Sequence, residues 1–376
     1  MMQKIISEDL SQNEDFENKN APMWIWFLLF FAVVGVSCAG TMFQQIDEIP
    51  PLLRASWRLQ STSLTLLPPA IWQWIYADEI IKVTCLQYRT LLILCLSGLA
   101  VAAHFGCWVA SLDMTTLTHS LLFVSSHPIL VAIGMYLAAN LPDDVLNYLK
   151  VRGIDSIKSP NNWEALGVCL GLTGAVLTLL DEGDQQGAHT ATFAGDAVAF
   201  MGAVTFIVYQ VCGRVLRKWM PIFIYAFPVT LLGSLLLLSV SAAVEEKSSE
   251  FGVVGWATRK YIWWYIALSL IAGLLGHTGL NTCLSYLSPL VVCSSTMLEP
   301  MIGSFVGYIV FDGGLPGTWT TLGGFILICS MMLVAYGNHN SEADGDGEDK
   351  DKDGSIELIT VLSQNDVEEK EDMVML

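Results

Sequence analysis

The sequence predicts an all-α membrane protein of ten transmembrane helices, arranged as two inverted five-helix repeats. Three observations point to this fold. Apolar runs long enough to cross a bilayer, about 20 residues each, follow one another through the middle of the chain. Lysine and arginine fall mostly on one side of those runs. The fourth and ninth runs, and the runs that follow them, share a local pattern. Composition agrees. Of 376 residues, 53% are hydrophobic and 14% are charged, against roughly 25% charged in a soluble protein. The tails, 1–20 and 338–376, hold −13 of the net charge of −18. A soluble globular enzyme, a secreted disulfide scaffold and a nucleic-acid binder, which needs a basic face, are excluded on these grounds.

Taken in order, the spans lie near 22–43, 50–72, 90–112, 115–139, 162–180, 193–213, 220–244, 261–284, 287–311 and 317–337. The first is too long for the apolar region of a signal peptide and has no small-residue cleavage pattern after it, so it is retained. The second carries Arg54 and Arg58 one helical turn apart. Arg58 lies about 13 Å beyond Ile49 at 1.5 Å per residue, too deep for a purely interfacial cation. The pair either snorkels outward or forms a funnel at the outer mouth for a carboxylate or phosphate. With the N-terminus inside, 13 Lys and Arg fall on inner segments and 3 on outer loops, which puts both termini in the cytoplasm. Trp256, Tyr261, Trp263, Trp264 and Tyr265 read as an aromatic belt. The nine cysteines include no CxxC pair and read as small buried hydrophobes.

The repeat shows in SSHPILVAIGMY of span four and MLEPMIGSFVGY of span nine. Pro128 and Pro300, like Tyr136 and Tyr308, are offset by 172 residues. The next spans open Trp163-Glu-Ala-Leu-Gly167 and Trp319-Thr-Thr-Leu-Gly323, and His104 and His277 precede the prolines by 24 and 23 residues. Five spans copied once must enter the membrane in opposite directions, which frames a central site able to open to either side. The expected organisation is therefore a disordered cytoplasmic tail (1–20), a first repeat (21–180), an outside linker (181–192), a second repeat (193–337) and a disordered acidic tail (338–376). Within that tail, Asp349, Asp351, Asp353, Gly354 and Ile356 follow an EF-hand loop as far as its eighth position. Thr360 stands where the bidentate Glu belongs, so the tail reads as solvated acid. Gly167 and Gly171, and Gly303 and Gly307, are GxxxG pairs suited to close helix packing.

Three stretches carry a family resemblance. They are Leu287-Ser-Pro-Leu-Val through Leu298-Glu299-Pro300 to Gly303 with Leu322-Gly323-Gly324, Gly195-Asp196 with the later Arg214, and TTLTHSLLFVSSHP of span four. Over roughly 24–337 the chain resembles the drug/metabolite transporter superfamily, in its EamA-like branch. That resemblance implies multi-pass membrane transport with export or exchange of small metabolites, and leaves the substrate open.

An ionisable group inside a span is a site hypothesis by default. Glu299 sits near the midplane just before Pro300, and His127 holds the matching place before Pro128. The carboxyl could carry a proton, and a histidine suits proton coupling. His104 with Cys107, Trp108 and Ser111, and His277 with Leu280, Asn281 and Leu284, form helical faces that could line a cavity. Asp196 reads as an N-terminal cap. Ser125, Ser126, Ser294, Ser295 and Thr296 either bond the carbonyls freed by the prolines or line the path. The candidate substrate-binding residues are His104, Trp108, His127, His277, Asn281, Glu299 and Arg58. No histidine pair stands at i, i+4, so no metal is expected, nor any cofactor, and without a Walker motif ATP drive is not expected either. The expected function is a secondary transporter of a small polar metabolite, with a proton as candidate coupling ion and the bilayer as its other partner. The alternatives are an ion channel or receptor-like membrane protein, and behind them a membrane-embedded transferase using His119 and Asp113.

Overall fold

A computed structural model describes residues 21–141, 159–178, 180, 190–310 and 315–345. The N-terminal tail, most of the 140–161 loop and 181–192 linker, and the EF-hand-like stretch lie outside the described residues. Among those described, the chain is helical with no strand, and eight helices are long and apolar enough to cross a membrane. It is a multi-pass membrane protein by that measure.

The principal helices are α1 (Met23–Gln44), α2 (Pro51–Tyr76), α3 (Tyr88–Leu112), α4 (Leu117–Val124) and α5 (His127–Ala139). They continue as α6 (Asn162–Thr178), α7 (Phe193–Arg217), α8 (Ile222–Val244) and α9 (Ile262–Ala267). A π-helical segment, Leu268–Thr278, joins α9 to α10 (Gly279–Cys283), and α11 (Pro289–Thr296), α12 (Glu299–Val310) and α13 (Thr318–Gly345) complete the bundle.

Two helices fall short of the eight. α2 is 26 residues long but carries Arg54, Arg58, Gln60 and a run of hydroxyls, which lowers its hydropathy. Those groups face inward: Arg54, Ser56, Arg58, Ser61, Thr62 and Ser63 are buried while Ile71, Trp72 and Ile75 are exposed. Its first turn follows Pro50 and Pro51, and its free Leu52 and Leu53 amides donate to the Glu245 carboxylate at 2.8 and 3.1 Å. α6 is 17 residues as described and packs along α13.

Spans four and nine are each two helices. Proline has no amide to continue the ladder, so the helix must restart at that point. The restart sets His127 and Glu299 as the first residues of α5 and α12. The hydroxyls divide between the two roles expected of them. Ser126, Ser295 and Thr296 bond back to Phe123, Val292 and Cys293 carbonyls at 2.7–2.8 Å, while Ser125 and Ser294 have no partner. α13 runs to Gly345, past the expected boundary at 337, because no proline or cap stops the helix there.

Close packing relies on glycine where backbones meet. A methyl at Gly35 would lie 2.6 Å from the Ile271 carbonyl, and one at Gly167 would lie 3.0 Å from that of Ser330. The Ser330 hydroxyl donates to the Gly167 carbonyl at 2.7 Å. The neighbour relations are regular. α2 packs on α8, and α6 on α13. α7 packs on α3 and on α4 and α5, while α1 packs on the π segment and α10 and on α11 and α12.

Three local expectations need correction. Thr192, not Asp196, caps α7, accepting from the Gly195 amide at 3.0 Å. Asp196 instead binds His119 Nδ1 at 3.0 Å and accepts from Thr115 Oγ1 at 2.8 Å. The aromatic cluster of the 245–260 loop is largely internal. Tyr261 and Tyr265 are buried against Trp57, whose indole donates to the Val253 carbonyl at 3.0 Å, and only Trp263 points fully outward. Of the nine cysteines, five are buried, but Cys95 and Cys169 are exposed.

Candidate functional site

The candidate site is built at the two helix breaks and on the two helices that cross them. His104 and Trp108 stand four apart on α3 and therefore share a face. His277 stands next to the end of the π segment, whose wider turn displaces it from where an α-helix would put it. His127 and Glu299 enter from the restarts of α5 and α12. These five residues and Phe206 line one small cavity, about 20 Å³, enough for roughly one water. The site is closed in this conformation.

The histidines form an aromatic cluster. His104 and His277 ring centres are 6.1 Å apart, and Phe206 lies 4.8 Å from His104 and 4.6 Å from His127. His104 Nδ1 donates to the Gly202 carbonyl at 2.9 Å, so its Nε2 is free to accept when the ring is neutral. His127 is held at both nitrogens. Nδ1 meets the Val124 carbonyl at 2.9 Å and Nε2 meets the Thr296 hydroxyl at 2.9 Å. Thr296 also faces the Cys293 carbonyl at 2.8 Å. Three contacts, two of them to carbonyls, call for three protons. A neutral histidine and a threonine supply two, so the Thr296 proton is shared between His127 Nε2 and the Cys293 carbonyl.

Arg58 and Asn281 stand just behind the cavity. Arg58 is 1% exposed, so the outer-mouth position expected for it is wrong: its side chain lies across α3, with the guanidinium carbon 4.0 Å from the Phe105 ring centre and 6.0 Å from that of Trp108. Such stacking is worth about 2 kcal/mol where desolvated. Arg54 does not snorkel either. It is buried, ion-paired to Asp113 and donating to the Phe43 carbonyl at 3.3 Å. Asn281 Nδ2 donates to Tyr209 Oη at 2.6 Å and to the His277 carbonyl at 2.8 Å.

Several buried polar atoms here have no hydrogen-bond partner. They are Arg58 Nε and Nη2, Trp108 Nε1, Ser125 Oγ, His277 Nδ1 and Asn281 Oδ1, with both ends of the Gln210 amide beyond them. A buried unpaired polar group costs about 1–3 kcal/mol, so native structures rarely keep one without a reason. Here they converge on one place. Phe206 and Gln210 were missed from the sequence, although Phe206, Tyr209, Gln210 and Gly213 follow the i, i+3, i+4, i+7 spacing that marks a helix face. Tyr136 and Tyr308 are 58% and 44% exposed and stand away from the site. His119 and Asp113, the pair a transferase would need, are engaged separately by Asp196 and Arg54.

A wider cleft of about 350 Å³ lies at the end of the bundle where α1, α3 and α8 finish. It is lined by Asp47, Glu48, Asp113, Glu245 and Glu246, with Lys247. Three of its carboxylates have structural partners. Asp113 binds Arg54, Glu48 binds Lys260 at 2.7 Å, and Glu245 binds the α2 amides. Among the described residues no group of three or more His, Cys, Asp or Glu is placed to hold a metal ion.

No protein-family profile and no curated protein sequence matches the chain. A solved structure described as "Crystal structure of protein" does match. It aligns with 84% of this chain and 98% of its own, with a TM-score of 0.61 and 14% identity. At that identity the likeness shows a shared fold and nothing of activity.

Proposed function

We propose that this protein is a secondary transporter that moves a small polar metabolite by alternating access. The observation that carries the reading is the cavity itself. Ionisable side chains from both halves of the chain, His104 and His127 from one and His277 and Glu299 from the other, meet in a closed space among unpaired polar atoms. Inside a bilayer such groups are expensive and serve solute paths or proton relays far more often than packing.

The inverted-repeat layout of ten spans is part of the proposal. Its support is the pattern of neighbours. Exchanging spans one to five for six to ten leaves the packing pattern largely unchanged: α1 on spans eight and nine becomes α7 on spans three and four, while the α2–α8 and α6–α13 pairs map onto themselves. The contact near Gly167 and Ser330 also has a counterpart, since a methyl at Gly174 would lie 2.8 Å from the Gly323 carbonyl. At 26 residues α2 reaches about 39 Å, enough to count as a span. Export or exchange, and both termini in the cytoplasm, follow from the charge asymmetry of the loops and from the family resemblance.

The test is flux. Purified full-length protein in proteoliposomes is offered a panel of small metabolites, first screened by ligand-induced thermal stabilisation. Saturable uptake with counterflow supports a carrier. Unitary currents, or product formation without uptake, would overturn it.

A further inference from the structure

The unpaired atoms of Arg58 specify more than polarity. Nε and Nη2 lie on the same edge of the guanidinium, and both are buried without a hydrogen-bond partner. That edge is the side-on fork that accepts the two oxygens of a carboxylate in parallel. The face of the group is already stacked on Phe105, so the edge is the part left for a ligand. Trp108 adds a third unpaired donor, its indole N–H, on the ring next to the guanidinium. Three donors with no acceptor among them describe an oxyanion site.

The charges around it set a second condition. Glu299 has no hydrogen-bond partner among the described residues; it lines the cavity with Trp108, and Arg58 is the cation that stands against Trp108. The helices packed on α12, namely α1, α4, α6 and α13, carry no lysine or arginine. Their titratable groups are carboxyls, thiols, a phenol and two histidines: Cys38 on α1, His119 bound to Asp196 on α4, Glu164 and Cys169 on α6, and Cys329, Tyr336, His339, Glu342 and Asp344 on α13. Around the cavity Glu299 is joined by His104, His127 and His277, with Arg58 behind the Trp108 wall. With the histidines neutral, one cation and one carboxylate leave the site without net charge. An incoming anion would leave it at −1 in the middle of a bilayer, which is costly.

We infer that Arg58 binds the carboxylate of an organic monoanion and that Glu299 takes up one proton as it does so, so that anion and proton occupy the site together, one to one. The anion displaces Glu299 as counter-ion to Arg58. The proton, drawn from water, neutralises the carboxyl that has lost its partner. No covalent bond changes. The inference rests on the reading of the cavity as a solute site, and names the solute class and its coupling.

The test is made on the full-length protein in detergent, so it does not depend on flux. Pyroglutamate, nicotinate and gluconate are titrated calorimetrically in buffers of different ionisation enthalpy, which counts protons taken up per ligand, with their neutral amides as controls. At least one carboxylate is expected to bind with close to one proton taken up, and its amide not to bind. E299Q should keep the binding and lose the proton uptake. R58K, which keeps the charge but not the fork, should weaken binding tenfold or more while E299Q does not, and this comparison separates a lost fork from a damaged fold. Carboxylate binding without proton uptake, uptake unchanged in E299Q, or inorganic phosphate binding where every carboxylate fails overturns the inference. If vesicles take up a neutral or cationic solute while no carboxylate binds, this inference fails and the carrier reading stands. If carboxylate and proton bind but nothing crosses the membrane, the reverse holds.

Discussion

Replacing Gly35 with alanine should destabilise the bundle, and the cost can be worked from the contact it disturbs. The added methyl would stand 2.6 Å from the Ile271 carbonyl oxygen, 3.2 Å from the Gly276 amide nitrogen and 3.3 Å from its α-carbon. All three are backbone atoms and have no rotamer by which to withdraw. Real contacts of this kind essentially never fall below 3.0 Å, so α1 and the π segment must part by at least about 0.4 Å. Overpacking of a close-fitted interior costs about 1–3 kcal/mol, a factor of about 5 to 150 in the folding equilibrium. Gly276 precedes His277, so the same displacement also loosens the cavity wall. Gly134→Ala is the control. Nothing lies within 4 Å of its added methyl, and alanine's better helix propensity favours it by up to about 1 kcal/mol. Both variants are compared by denaturant titration in detergent, followed by circular dichroism. A Gly35→Ala protein as stable as Gly134→Ala would refute the close-packing argument.

Three further outcomes follow from particular contacts. Arg54→Met strands Asp113, whose side chain is 28% exposed, so the loss should fall at or below the low end of the roughly 3–5 kcal/mol seen when one member of a buried pair is removed; adding Asp113→Leu should recover most of it in a double-mutant cycle. Trp57→Ala empties the space beneath Gly255 and the aromatic loop and should cost about 3–5 kcal/mol, with faster amide exchange confined at first to 245–260. The third outcome concerns pH. Burial works to raise the pKa of the Glu48 carboxyl, but its bonds to Lys260 and Tyr261 outweigh this and hold it below the ordinary carboxylate value. A carboxyl with a depressed folded-state pKa contributes stability that is present above its unfolded value of 4.5 and lost as pH falls through the folded value. Amide exchange at 48, 49 and 258–262 should therefore quicken only in acid, and Glu48→Gln should abolish that step.

The parts of the fold that obey a local rule were legible in the sequence. Apolar length marked the spans, and Pro128 and Pro300 marked where two of them restart, because a missing amide acts at its own position. The 3.6-residue period placed His104 with Trp108 and the 1.5 Å rise placed Arg58 too deep to be interfacial. Partners supplied from far along the chain were not legible. Glu245 caps α2 from 192 and 193 residues away, and Asp113 meets Arg54 across 59. No local pattern announces either contact. The inward polar face of α2 lowers its average hydropathy, so composition marks this helix less sharply than its neighbours. The π segment lacked a signal for a similar reason. Its backbone lies against α1 at Gly276, a contact that LSLIAGLLGHT does not announce.

The most direct test of alternating access is two-sided chemical labelling at the cavity wall. Ser125 is buried with no hydrogen-bond partner, beside the α4–α5 break. A single cysteine placed there, in a protein otherwise free of cysteine, is exposed to a membrane-impermeant maleimide in right-side-out and then in inside-out vesicles. Alternating access predicts labelling from both sides, each blocked when the cavity is locked open to the other side. Labelling from one side alone under every condition, or from neither in a protein shown to be folded, would contradict it.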